Sequence, residues 1–122
     1  DARGCRAAAD ELLALAVPNG LREQEAAARR WLGSAWLAEG AYPQAQAELS
    51  RAAALAHEIG RVRLQLDAEI ALARVADARG EAALAQRHDT TARELRAAID
   101  ASLASSELGG LRPREWSRRD RR

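Results

Sequence analysis

Few side chains in this chain could do chemistry. His57 and His88 are its only histidines and Cys5 its only cysteine. Zinc-holding histidines stand at short helical spacings with a further ligand close by, as in HExxH, and neither histidine has such neighbours. A single cysteine leaves no partner for an internal disulfide and no Cys-based metal site. It would act as a nucleophile only beside a positioned base in a pocket, and nothing in the pattern supplies one. The acids Asp67, Glu69, Asp77 and Glu81 read as a solvated helix face. Paired carboxylates doing acid–base work need an enclosed site, which a thin stack of helices does not provide. Gly109-Gly110 lacks the GxxxxGK[ST] or GxGxxG context of a phosphate loop. These residues point away from an enzyme and call for no cofactor and no metal.

The arginines are the second chemical feature. All 19 basic residues are Arg, and the net charge of +1 hides an asymmetry. Residues 112–122 (RPREWSRRDRR) carry six Arg against Glu115 and Asp120, a net of +4, which leaves the rest at −3. Such a segment could neutralise phosphates while Trp116 stacks on a base. The body, however, is mildly acidic and no helix bears a basic stripe with base-reading residues. Nucleic acid is therefore disfavoured as a partner, and the segment 105–122 is expected to be a basic, flexible tail.

These residues must be positioned by helices. Ala, Leu, Glu, Gln and Arg dominate, β-branched residues are scarce, and Phe and Met are absent. Gly20, Gly40, Gly60 and Gly80 fall at intervals of twenty. Each follows a segment of helical apolar period, and glycine is the residue that turns left-handed just past a helix end. Pro18-Asn19-Gly20 and Glu39-Gly40-Ala41-Tyr42-Pro43 add turn chemistry. Between these stops Ala45, Leu49, Ala52, Ala56 and Ile59 step by fours and threes, as do Leu64, Ala68, Leu72 and Val75. Helices are expected at about 4–17, 21–38, 42–58, 61–79 and 82–104. Their short connections imply antiparallel neighbours. No apolar run reaches the about 18 residues of a membrane span, and no signal peptide opens the chain, so a cytoplasmic location without membrane attachment is expected.

Displaced by forty, the chain overlays on itself. Leu15, Leu55 and Leu95 coincide, as do Gly20 with Gly60, Leu32 with Leu72, Gly40 with Gly80, and Ile59 with Ile99. A repeat of two helices is the signature of a stacked array. Leu32-Gly33, Trp36, Gly40, Tyr42, Ala45, Leu49 and Ala52 resemble the tetratricopeptide pattern. In that family a Leu-Gly pair, an aromatic, a Gly turn, an aromatic, then Ala, a large apolar residue and Ala fall at these spacings. A second, degenerate copy has Leu72, Ala73, Gly80, Ala85 and Ala92, with Ala76, Ala82 and Asp89 replacing the two aromatics and the large apolar residue. His57 and Ala97 stand where the family has its closing Pro, and the period of forty exceeds the family's usual thirty-four or so.

The resemblance covers about 5–104 and implies an all-α fold of about five helices: antiparallel helix hairpins stacked as a short right-handed solenoid, a domain of 1–104. It implies that Arg30, Ser34, Leu37, Asp67, Ile70, Arg74 and Asp77 face a partner-binding groove. Only Arg30 and Arg74 match the chaperone-tail clamp of that family, so such a tail is not the expected ligand. The long repeats look like those in the C-terminal arrays of large bacterial regulators. The function expected is a non-catalytic protein–protein interaction scaffold within a larger regulatory or signalling protein, its partner a protein, a peptide or other domains of the parent chain. The alternative is a helical dimerisation or nucleic-acid accessory domain that uses the Arg-rich tail. Trp31 and Trp36 are expected in the core. Gly33 and Ala73 are expected where paired helices cross, with Leu49 buried.

The two ends of the stack read differently. Asp89 puts a polar break where the first copy has Leu49, as a closing helix would. The first helix has two apolar sides, Ala7-Ala8-Ala9 and Leu12-Leu13-Ala14-Leu15-Ala16-Val17. It is expected to be the second half of a repeat that begins before Asp1, and to self-associate through its open side.

Overall fold

The four glycines act as joints, and all four joints are built alike. The computed structural model describes residues 1–110, with side-chain surroundings through Ser106. Gly20, Gly40, Gly60 and Gly80 have φ of 66°, 76°, 72° and 73°, a region closed to most other residues. The amide after each glycine reaches back across the end of the helix: Leu21 to the Ala16 carbonyl at 3.0 Å, Ala41 to Trp36 at 2.9 Å, Arg61 to Ala56 at 2.8 Å and Glu81 to Ala76 at 2.9 Å. The glycine amides donate to the Val17, Leu37, His57 and Asp77 carbonyls, completing a Schellman ending each time. The carbonyls of Leu21, Ala41, Arg61 and Glu81 accept the first amide of the next helix, from Glu25, Ala45, Gln65 and Ala85. One residue thus closes one helix and opens the next.

The helices are α1 (Ala2–Ala16), α2 (Arg22–Ala38), α3 (Tyr42–Glu58), α4 (Val62–Ala78) and α5 (Ala82–Gly110), and no strand occurs among the described residues. The first four match the expected spans to within about two residues. Helix α5 runs past the expected end at 104 to Gly110. Residues 112–122, with Trp116, lie outside the described residues. No helix among the described residues is long and apolar enough to cross a membrane.

Sequential helices pack in order, and α2 also meets α4. The fold is therefore all-α, its packing that of successive helical hairpins. The core is mostly alanine, because small side chains let helix axes approach closely. Its centre is Ala45, Leu49, Ala52 and Ala53 of α3 against Ala68, Ala71, Leu72 and Val75 of α4, with Trp36, Leu37 and Tyr42 packed on it. Leu49 and Val75 are its largest fully buried side chains. Gly33 explains how Leu49 fits: a Cβ there would lie 2.8 Å from Leu49 Cδ2 and 3.3 Å from the Ala45 carbonyl oxygen. The α2–α3 crossing is a glycine notch filled by one leucine. Ala73 is buried at the corresponding position of α4.

The placement of the tryptophans corrects the expectation. Trp36 is half-buried, with the Arg6 guanidinium 4.3 Å above its ring. Trp31 is 47% exposed. Five residues along a helix turn the side chain by well over a right angle, so the two rings face different ways and only one reaches the core.

Truncating Leu49 to Ala should cost about 2–5 kcal/mol in a urea titration, because the notch cannot collapse onto a smaller side chain. Gly60→Ala should cost about 1–2 kcal/mol for forcing an L-residue left-handed. A Leu49→Ala protein with an unchanged urea midpoint would refute the notch.

Candidate functional site

Polar side chains tie the hairpins together, and their spacing repeats. Arg29, buried on α2, donates from Nε to Glu25 at 2.8 Å and from Nη1 to Glu48 of α3 at 2.9 Å. Forty residues on, the same two positions hold Glu69 of α4 and His88 of α5, joined at 2.6 Å from Nδ1 to the carboxylate. A second link behaves the same way. Arg6 of α1 donates to Glu39 at the end of α2 at 3.1 Å, and its counterpart joins Gln46 of α3 to Arg79 at the end of α4 at 2.6 Å. In both links the basic partner changes sides between one repeat and the next. Glu69, expected on a solvated face, is therefore an inter-helix ligand for His88, and His88 is a structural histidine. His57 is exposed.

Burial would push the Arg29 guanidinium down. Hydrogen bonds to Glu25 and Glu48, and the pull of both carboxylates, more than offset this and hold it above its ordinary value. Arg29 thus keeps its charge across the working pH range. The pairs Arg22–Glu58 at 2.8 Å and Arg61–Glu23 at 2.9 Å are exposed and contribute far less.

The seven groove residues inferred from sequence lie on α2 and α4, two helices that touch, and differ in exposure. Leu37 is half-buried and packed on the core. Arg30 and Ser34 are half-buried, with Arg30 Nε buried and without a partner among the described residues. Asp67, Arg74 and Asp77 are exposed. Ile70 turns towards α5, lining a hollow of about 270 Å³ with Asp89, Ala92, Arg93 and Arg96. No hydrogen bond or ion pair joins any two of the seven among the described residues.

A different groove is the larger concavity, about 550 Å³. It opens between the starts of α2 and α4 and the far part of α5. Ala27, Val62, Leu64, Ala98, Ile99 and Leu103 give it an apolar lining, and Glu23, Arg61 and Arg63 stand on it. Its signal in the sequence was the apolar period of α5 continuing through Ile99 and Leu103. What escaped was that α5 is 29 residues long against the 17 of α4, so its last turns have no α4 to lie against.

Among the described residues no group of three or more His, Cys, Asp or Glu could hold a metal ion. Cys5 is exposed. Comparison with protein-family models, with curated proteins and with solved structures finds no match.

Arg29→Ala should cost about 1–3 kcal/mol in chemical denaturation, since it leaves two partly buried carboxylates facing each other. Arg22→Ala should cost less than about 1 kcal/mol. Equal losses for the two variants would show that the Arg29 network is no stronger than a surface pair.

Proposed function

We propose that this chain is a non-catalytic protein–protein interaction scaffold: a tetratricopeptide-like module whose hairpins stack as a short right-handed solenoid within a larger regulatory or signalling protein. Two features support the repeat reading. Four identical joints fall at intervals of twenty, and two inter-helix links recur at forty. The observation that carries the binding reading is where the large apolar side chains are left. In a core built of alanine, Trp31 stands 47% and Leu103 49% exposed, and Val62 is exposed on the same groove as Leu103. Clustered exposed apolar surface marks a site where something docks, and exposed tryptophan is a frequent centre of binding energy.

Selection from a library of protein fragments, followed by calorimetry, tests this. A partner should bind saturably, and Trp31→Ala should weaken it about tenfold or more at an unchanged melting temperature. Absence of any saturable protein ligand would sink the scaffold reading. Binding to random-sequence DNA that disappears when 112–122 is removed would establish the accessory-domain alternative instead.

The open side of α1 fits self-association. Leu15 is 57% exposed, Val17 and Leu21 are exposed, and Leu13 is half-buried. Among the described residues helix α1 packs on α2 alone, whereas α3, its counterpart forty residues on, packs on both α2 and α4. Light scattering should show the mass rising towards a dimer with concentration, and Leu15→Glu should abolish the rise. A concentration-independent monomer would show that α1 is a true end of the stack.

A further inference from the structure

We propose that the groove between the starts of α2 and α4 and the far part of α5 binds a short acidic, amphipathic peptide segment of a partner protein. Its apolar side chains would lie against Leu64, Ile99 and Leu103, and a carboxylate would meet Arg63. The proposal rests on the scaffold reading and names the partner's chemistry.

The volume comes first. At about 550 Å³ the groove suits a few side chains and not a whole helix. Its lining is apolar on all three helices, from Ala27 on α2, Val62 and Leu64 on α4, and Ile99 and Leu103 on α5. Val62 and Leu103 present large apolar side chains to water on its two sides. One turn along the α2 face that bears Ala27 stands Trp31, which extends the apolar surface beyond the groove itself.

Charge then selects among occupants. Glu23 is already engaged by Arg61 at 2.9 Å. Arg63 is exposed and makes no ion pair among the described residues. The first turn of α4 carries no acid, and the exposed Asp67 one turn on from Arg63 lies outside the groove lining. Of the charged residues that line the groove, the one left without an ion pair among the described residues is therefore cationic, and a guanidinium matches a carboxylate with two parallel hydrogen bonds. The chain's own segment 112–122 nets +4 and would bring arginines against Arg61 and Arg63. A nucleic acid strand would find no aromatic side chain among the lining residues on which to stack a base. An acyl chain is best held in an enclosed slot, and this groove is open to solvent.

The test is selection of random dodecapeptides displayed on phage against the whole 1–122 chain. Enriched peptides should pair two apolar residues with flanking acids, and their affinity should fall with added salt. Leu103→Glu should weaken them about tenfold or more. Arg63→Glu should reverse the preference, enriching peptides with basic flanks. Both substituted side chains are exposed, so circular dichroism and melting should match the parent chain. Selected peptides that bind both variants as tightly as the parent would overturn the groove assignment while leaving the scaffold reading intact. Failure to enrich any peptide would overturn the acidic-peptide proposal, while the scaffold reading falls only if the protein-fragment selection also yields no ligand. An affinity that rises when 112–122 is removed would make that segment the occupant. A dimer dispersed by Leu103→Glu would make a second copy the occupant. Either result overturns the acidic-peptide proposal.

Discussion

The glycine joint is the constraint on which the rest of this fold depends. A left-handed residue followed by one that serves both helices reverses the chain in the shortest way that still satisfies the backbone groups at the helix end. Because the connection is so short, the angle and offset between successive helices are set by the joint itself. Using the same joint four times gives three inner helices of equal length, each beginning twenty residues after the last. Side chains at equivalent positions then fall in equivalent places. The Arg29–Glu48 and Glu69–His88 links could not otherwise recur at a spacing of forty.

Given helices held this close, the core can be made of small residues. Alanine contributes little burial per side chain, so stability rests on close approach and a few well-seated large residues. Leu49 in the Gly33 notch is the clearest case. At the corresponding place in the second hairpin Ala73 replaces the glycine and Asp89 the leucine. Ala73 stays buried while Asp89 is exposed. The second hairpin therefore crosses without the notch. The reversed polarity of the links adds a further distinction. Were α4 to take the place of α2 against α3, Glu69 would meet Glu48 and a carboxylate pair would be forced together. Two hairpins that look interchangeable by composition are thus told apart by charge and by one buried leucine.

A fold economical with large side chains makes those it leaves outside informative. Scattered exposed apolar residues are ordinary. Here Val62 and Leu103 face one groove, Trp31 shares the α2 face leading from it, and Leu15, Val17 and Leu21 gather where α1 ends and α2 begins. The two regions differ in kind. The α1 region is a helix face with one described neighbour, α2, where its counterpart α3 has two. The groove is a concavity whose lining holds an arginine, Arg63, with no ion pair among the described residues.

The linear chain by itself determined where helices stop, because only glycine takes the left-handed conformation without strain, and its spacing is visible in one dimension. It determined the period of forty, the burial of Leu49 and the crossing at Gly33, since these follow from residue size at fixed helical spacing. It did not determine which way Trp31 points. Five residues apart on α2, Trp31 and Trp36 could not share a face, and which of them met the core depended on where the neighbouring helices packed. Nor did it reveal that Arg29 with Glu48, Arg6 with Glu39, and Glu69 with His88 would meet, since charged residues on a helix face read alike until a neighbour is placed against them. The concavity between α2, α4 and α5 escaped a linear reading for the same reason. Spacing assigns a face to one helix at a time, whereas a concavity exists only where α2, α4 and the overhanging end of α5 come together.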